Sequence, residues 1–245
     1  TAEEISAKLG SGPASNYQVV NTSVYGDGDY AHFGTSAMGI PIWIQKEVAN
    51  TDLRVGIGSI VPHCDVGYSG GGKILLPGVC AAQTVAVNHI KGLDFQGRNL
   101  LGAPTTIIRQ DIEDVVSRIG LHFIVNAITT ADRRMYALVC GDYIKAHRAG
   151  IPLAQDVYGV PTRQRVDITI CSAHPGDIDF IQVSKAIWSG DKMTHPGGDL
   201  IVVTPCTEGL GPYTSLPALM AQDRHLLEQR IQSGEIEADT MGVMA

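Results

Sequence analysis

Positive charge is scarce in this 245-residue sequence: 18 Lys plus Arg stand against 25 Asp plus Glu, for a net charge of −7. A nucleic-acid surface needs a basic patch, and this balance argues against one. Long apolar runs are missing as well, so no membrane-spanning helix is expected, and the first residues do not read as a signal peptide. Cysteine is sparse. Cys64, Cys80, Cys140, Cys171 and Cys206 are scattered, odd in number and without C-x-x-C spacing. That pattern fits the reduced thiols of a cytoplasmic protein better than a disulfide frame or a zinc site. Repeats and low-complexity segments are absent too. What remains, 44% hydrophobic and 18% charged, is an ordinary globular composition, long enough for one large or two small domains.

Hydrophobic periodicity predicts an α/β protein. The first four residues, TAEE, read as a capping box opening a short helix that ends near Gly10, with a break at Gly12-Pro13. Residues 17–48 read as short strands and turns, with Asp29 and a solvent-exposed His32 in a loop. Residues 53–60 form an apolar strand, and 83–89 a helix presenting His89 from its C-terminal end. The spacing of Ile107, Ile108, Ile112, Val115, Val116 and Ile119 predicts an amphipathic helix over 106–120, stopped by Gly120. Residues 122–128 and 135–140 read as strands. Residues 142–150 read as a helix closed by Gly150, with His147 a surface or packing residue. A domain hinge is expected around Gly159-Val-Pro161.

Beyond it, 166–171 is a buried-strand signal running into polar 172–179, and the carboxyl ends of such strands are where open α/β sheets place ligands. Residues 180–188 form a helix with Gln182 and Lys185 on one face. Residues 200–204 make a second parallel strand, and 215–233 one amphipathic, mixed-charge helix.

The chemistry concentrates in residues 61–90, VPHCDVGYSGGGKILLPGVCAAQTVAVNHI. Glycine costs conformational entropy on folding, so such a run implies backbone close to something. A phosphate loop is one reading, since residues 67–73 fit G-x-x-x-x-G-K. However, Ile74 stands where that motif needs a Ser or Thr hydroxyl, and Pro77 ends the helix that should follow. The other reading brings His63, Lys73 and His89 together on one small group, histidine being both proton carrier and metal ligand. On the residues alone, a metal-dependent hydrolase using His63, Asp65 and His89 stays open, as does a non-catalytic nucleotide-binding module. The hydrolase would need a further ligand and an open coordination position.

The pattern H-x-x-x-G-Y-S-G-G-x-K, then P-G, then T-x-x-x-N-H, resembles the lactate racemase family. The resemblance implies a racemase or epimerase of a small 2-hydroxy acid acting by hydride transfer. Its cofactor would be a nickel-pincer nucleotide (pyridinium-3-thioamide-5-thiocarboxylic acid mononucleotide with nickel) built by separate maturation proteins. Carried over by position, His63 is an acid/base residue, Lys73 the covalent tether and His89 the nickel ligand. Tyr68, Ser69, Gly70 and Gly71 would line the cofactor. Gln182 and Lys185 would meet the substrate, with Ile181 replacing the aromatic residue of a Y-Q-x-x-K setting. The E-G-L-G segment 208–211 also matches, and His174 and Asp177 would lie just behind the site.

The implied architecture is a Rossmann-like cofactor domain with a parallel sheet over 1–160 and part of a second α/β domain over 161–245. The active site would lie at their interface. The resemblance also places roughly the first hundred family residues, with a Rossmann-like start and a second acid/base histidine, upstream of Thr1. More of the second domain would follow Ala245.

Overall fold

The computed structural model describes residues 2–20, 29–93, 99–162, 164–211, 216–233 and 235. Thr1 of the capping box, and 21–28 of the expected strand-and-turn region, lie outside them. Helices α1 (Ala2–Leu9) and α2 (Ser11–Asn16) open the chain. The break between them falls at Gly10, with φ of 84°. It does not fall at Gly12-Pro13, because proline is tolerated in a first helical turn.

Strands β1 (Tyr30–Thr35) and β2 (Pro41–Gln45) pair antiparallel, followed by the single turn α3 (Lys46–Ala49). His32 is exposed as expected, but it lies on β1 and not in a loop, its ring centroid 4.4 Å from that of Trp43. Strand β3 (Val55–Ser59) leads into a minute hairpin of β4 (Pro62–His63) and β5 (Gly67–Tyr68). A 3-10 turn at Gly71–Ile74 follows, then α4 (Ala82–Leu93). The Thr84 hydroxyl ties α4 to β2, accepting the Trp43 N–H and donating to the Pro41 carbonyl at 2.6 Å.

Helix α5 (Ile107–Ile119) has Thr106 as its N-cap and Gly120 as its C-cap, and its apolar stripe enters the main core beside Ile40, Ile42, Ile44 and Leu76. Ile107 is the exception at 56% exposure, since the first helical residue lies off the stripe. Strands β6 (Phe123–Thr129) and β7 (Met135–Gly141) complete a mixed sheet in the order β3-β6-β7, parallel then antiparallel. Helix α6 (Lys145–Tyr158) runs through Gly150 and Pro152, so Gly150 is not its stop. A Cβ there would lie 2.4 Å from the Ile60 side chain. That glycine is a packing device between α6 and the sheet.

The second part holds β8 (Val166–Ser172) and β9 (Thr194–Val203), parallel to one another, with α7 (Phe180–Met193) across one face. The expectation that 166–171 is buried holds for that face alone. On the other face Ile168, Ile170, Ile201 and Val203 are exposed, Ile170 to 70%, because no described element packs there. The single helix expected over 215–233 is two, α8 (Leu216–Met220) and α9 (Arg224–Gln232). Asp223 breaks it by accepting the N–H groups of His225 and Leu226, an N-terminal cap. The α/β class expected from the sequence is what the chain adopts.

Candidate functional site

The hairpin that follows β3 sets the geometry. His63 pairs with Gly67 across it, and the 3-10 turn carries Lys73 back until its Nζ lies 2.5 Å from His63 Nε2. The Asp65 main-chain N–H donates to His63 Nδ1 at 3.2 Å. A main-chain N–H can only donate, so Nδ1 is the acceptor in that contact. Titration agrees. Burial, then the neighbouring Lys73 charge, hold His63 well below its ordinary value, opposed by Asp65. Burial lowers Lys73 to about 8, again opposed by Asp65 and assisted by Arg109. With the imidazole neutral, the 3.9 Å approach of Asp65 Oδ2 to Nδ1 is not an ion pair. Two basic groups, both with lowered pKa, meet in one hydrogen bond.

His89 stands within α4, four residues before its end. Its Nδ1 is buried without a hydrogen-bond partner, and burial lowers its pKa, with Asp65 opposing and Lys73 assisting. A buried polar atom left unpaired costs about 1–3 kcal/mol, and a neutral imidazole nitrogen in that condition suits a late first-row metal such as nickel. An amine that is readily neutral suits covalent attachment. The residues therefore fit a tethered nickel cofactor. Asp65 is the carboxylate whose charge reaches His63, Cys64, Lys73 and His89 alike.

The glycine run proves to be packed against protein. A Cβ on Gly70 would lie 2.7 Å from Asn126 Oδ1 and 2.9 Å from the Ser59 carbonyl, and one on Gly71 would lie 3.0 Å from the His147 ring. Asn126 Oδ1 accepts the Gly71 N–H at 2.8 Å, and His147 Nε2 donates to the Ser69 carbonyl at 2.8 Å. The Ser69 hydroxyl is committed to the backbone, donating to Ser59 and accepting from Val61. Tyr68 sends its ring into a second core cluster with Ile60, Ile128, Ile151 and Ala154. Its carbonyl accepts from Arg109, which also donates to the Gly70 carbonyl at 3.0 Å. Arg109 is 1% exposed.

Arg109 and Asn126 are the residues that sequence reasoning missed here, while His147, expected as a surface or packing residue, is a packing one. Their only signal was polarity at core positions of otherwise apolar elements.

Across the site, Gln182 and Lys185 share one face of α7 and are hydrogen-bonded to each other. The charge of Lys185 is felt at Lys73. Asp179 caps α7. Glu208 N–H donates to the Ile178 carbonyl and Phe180 N–H to the Gly209 carbonyl, both at 2.8 Å, which pins the E-G-L-G segment to the start of that helix. His174 Nδ1 lies 3.3 Å from Asp177 Oδ2, on an exposed rim. Asn99 Nδ2 bonds the Trp188 carbonyl at 2.5 Å and Asp191 at 2.9 Å, joining the first part of the chain to α7.

Residues 1–99 match the family described as the lactate racemase N-terminal domain. Lactate racemases of Thermoanaerobacterium thermosaccharolyticum and Lactiplantibacillus plantarum are 29% and 27% identical over 217 residues, 86% of this chain. The chain spans half the length of these curated relatives. The lactate racemase apoprotein structure from T. thermosaccharolyticum superposes with a TM-score of 0.86 at 25% identity, over 99% of this chain and 59% of that one. A Thermotoga maritima protein shares the fold, with a TM-score of 0.72 at 15% identity over 99% of this chain and 66% of that one. Residues 1–99 thus match the lactate racemase N-terminal domain, and over most of its length the chain is similar in sequence and in fold to lactate racemases.

Proposed function

We propose that this chain is the cofactor-bearing part of a 2-hydroxy-acid racemase or epimerase. Lys73 would tether a nickel-pincer nucleotide and His89 Nδ1 would ligate its nickel. The observation that carries the reading is the convergence of His63 and Lys73 at 2.5 Å, with His89 Nδ1 buried and unpartnered nearby. When bound, such a cofactor supplies an acceptor for the hydrogen on C2 of the substrate.

The chain's own residues handle the proton and the carboxylate. His63, neutral at physiological pH, takes the proton of the substrate hydroxyl as C2 becomes planar and returns it afterwards. Lys185, held by Gln182, offers its ammonium to the carboxylate from the opposite side. Asp65 tempers the cost of a second proton on His63. Arg109, Asn126 and His147 fix the turn that aims Lys73. Tyr68, Ser69, Gly70 and Gly71 contribute to cofactor binding by shaping that turn. We divide the chain near residue 160, with the cofactor side before it and the substrate side of α7 after it. The proposal includes a cytoplasmic setting and maturation proteins that load the cofactor.

The test is intact-mass and nickel analysis of the protein co-produced with cofactor-building enzymes, beside a family racemase matured in parallel. An adduct on Lys73 with near-stoichiometric nickel is the expected result, with His89→Ala keeping the adduct and losing nickel. An unmodified Lys73 beside a loaded control overturns the reading.

A further inference from the structure

The turn between β4 and β5 places three unlike metal ligands side by side. His63 Nδ1, Cys64 Sγ and an Asp65 carboxylate oxygen lie within 4.8 Å of one another, each on a half-buried residue. Sγ and Oδ2 each stand 3.9 Å from Nδ1. Around a tetrahedral zinc, with bonds of about 2.3 Å to sulfur and about 2.0–2.1 Å to nitrogen or oxygen, such atoms sit roughly 3.4–3.6 Å apart. The two separations from Nδ1 are within a few tenths of an ångström of that geometry. Lys73 occupies the other edge of the imidazole, at Nε2, and leaves the Nδ1 side clear of its ammonium. His89 stands outside this group, so the nickel position assigned to it above is a different one.

We propose that His63, Cys64 and Asp65 form a site for a thiophilic divalent cation such as zinc, with solvent in the fourth position. Without the cation, burial and the Asp65 carboxylate push the Cys64 thiol up to about 12. A cation between thiol and carboxylate reverses that, because a coordinating thiol is deprotonated outright. Binding breaks the S–H bond, forms a metal–sulfur bond and releases one proton to solvent. It also replaces the Asp65 N–H as the partner of Nδ1 and takes His63 out of proton exchange. In that consequence the inference rests on His63 being the proton carrier proposed above, and the site is then inhibitory. The binding itself does not depend on that reading.

Titration of the cofactor-free chain with Co2+ tests it, since thiolate ligation gives a sulfur-to-cobalt charge-transfer band in the near ultraviolet. One equivalent of Co2+ should raise the band, with release of one proton and competition by Zn2+. Cys64→Ser and His63→Gln should each abolish it, and His89→Ala should leave it unchanged. A chain with no such band, a band that persists in Cys64→Ser, or one lost in His89→Ala overturns the proposal. Each result is independent of whether Lys73 ever carries a cofactor.

Discussion

Lys73 is held where an ammonium is costly, and that cost is visible in stability. Its folded pKa is about 8 against 10.5 for the free side chain. Between those values the unfolded chain binds more protons than the folded one, so this residue makes stability rise with pH across that window. Below about pH 8 both states are protonated and the full penalty applies. Lys73→Met should therefore stabilise the fold at pH 7 by about 1–2 kcal/mol, less than the roughly 3 kcal/mol that the shift alone implies, because His63 Nε2 loses its partner. Urea midpoints of both proteins at pH 7 and pH 10 would check it: the advantage should shrink towards pH 10. A functional site kept at the expense of stability is the ordinary condition of enzymes. An equal advantage at both pH values would mean that the amine is not buried as a base.

At the scale of the elements, the glycine turn divides backbone strain from packing. Gly34 and Gly70 both have positive φ, 80° and 76°. A Cβ at Gly34 meets nothing within 4 Å, whereas one at Gly70 strikes Asn126 and the Ser59 backbone. Gly34→Ala should cost only the left-handed conformation, about 1–2 kcal/mol. Gly70→Ala should add overpacking for about 3 kcal/mol or more and tilt the turn that aims Lys73. Thermal unfolding of the two variants separates the terms.

That comparison also marks what the sequence could tell. Helix α5 was legible because a local rule, a 3.6-residue stripe between Thr106 and Gly120, decides it. Helix α6 was cut short because Gly150 and Pro152 are local stop signals that the Ile60 contact overrides. The His63, Lys73 and His89 pattern was legible as chemistry, and the first two do meet. The reason for the glycines was not, since Asn126 and His147 lie 55 and 78 residues from their partners Gly71 and Ser69. Nor could strand pattern alone say that one face of β8 and β9 would stay open.

For the whole molecule, three histidines, His147 buried and His63 and His89 half-buried, are held in neutral form, and they set its response to acid. Burial is the first cause for each: His63 and His147 are lowered to about 3, and His89 is lowered as well. Between about pH 6.5 and 3 the unfolded chain takes up protons that the folded chain refuses, so stability falls as pH falls through that window. The slope is about 1.4 kcal/mol per pH unit for each proton. An ordinary domain has only about 5–15 kcal/mol to lose, so unfolding should begin well above the acid limit set by His63 and His147. His147 is the member to remove. Arg148 donates to its Nδ1 at 2.9 Å while Nε2 holds the Ser69 carbonyl. His147→Gln preserves a donor for Ser69 and removes one titrating group. Plotted between pH 6 and 4.5, the free energy of urea unfolding should fall less steeply in the variant by about one proton. An unchanged slope would show that His147 is already protonated in the fold, and the clamp on Ser69 would then depend on a charged imidazole beside Arg109 and Arg148.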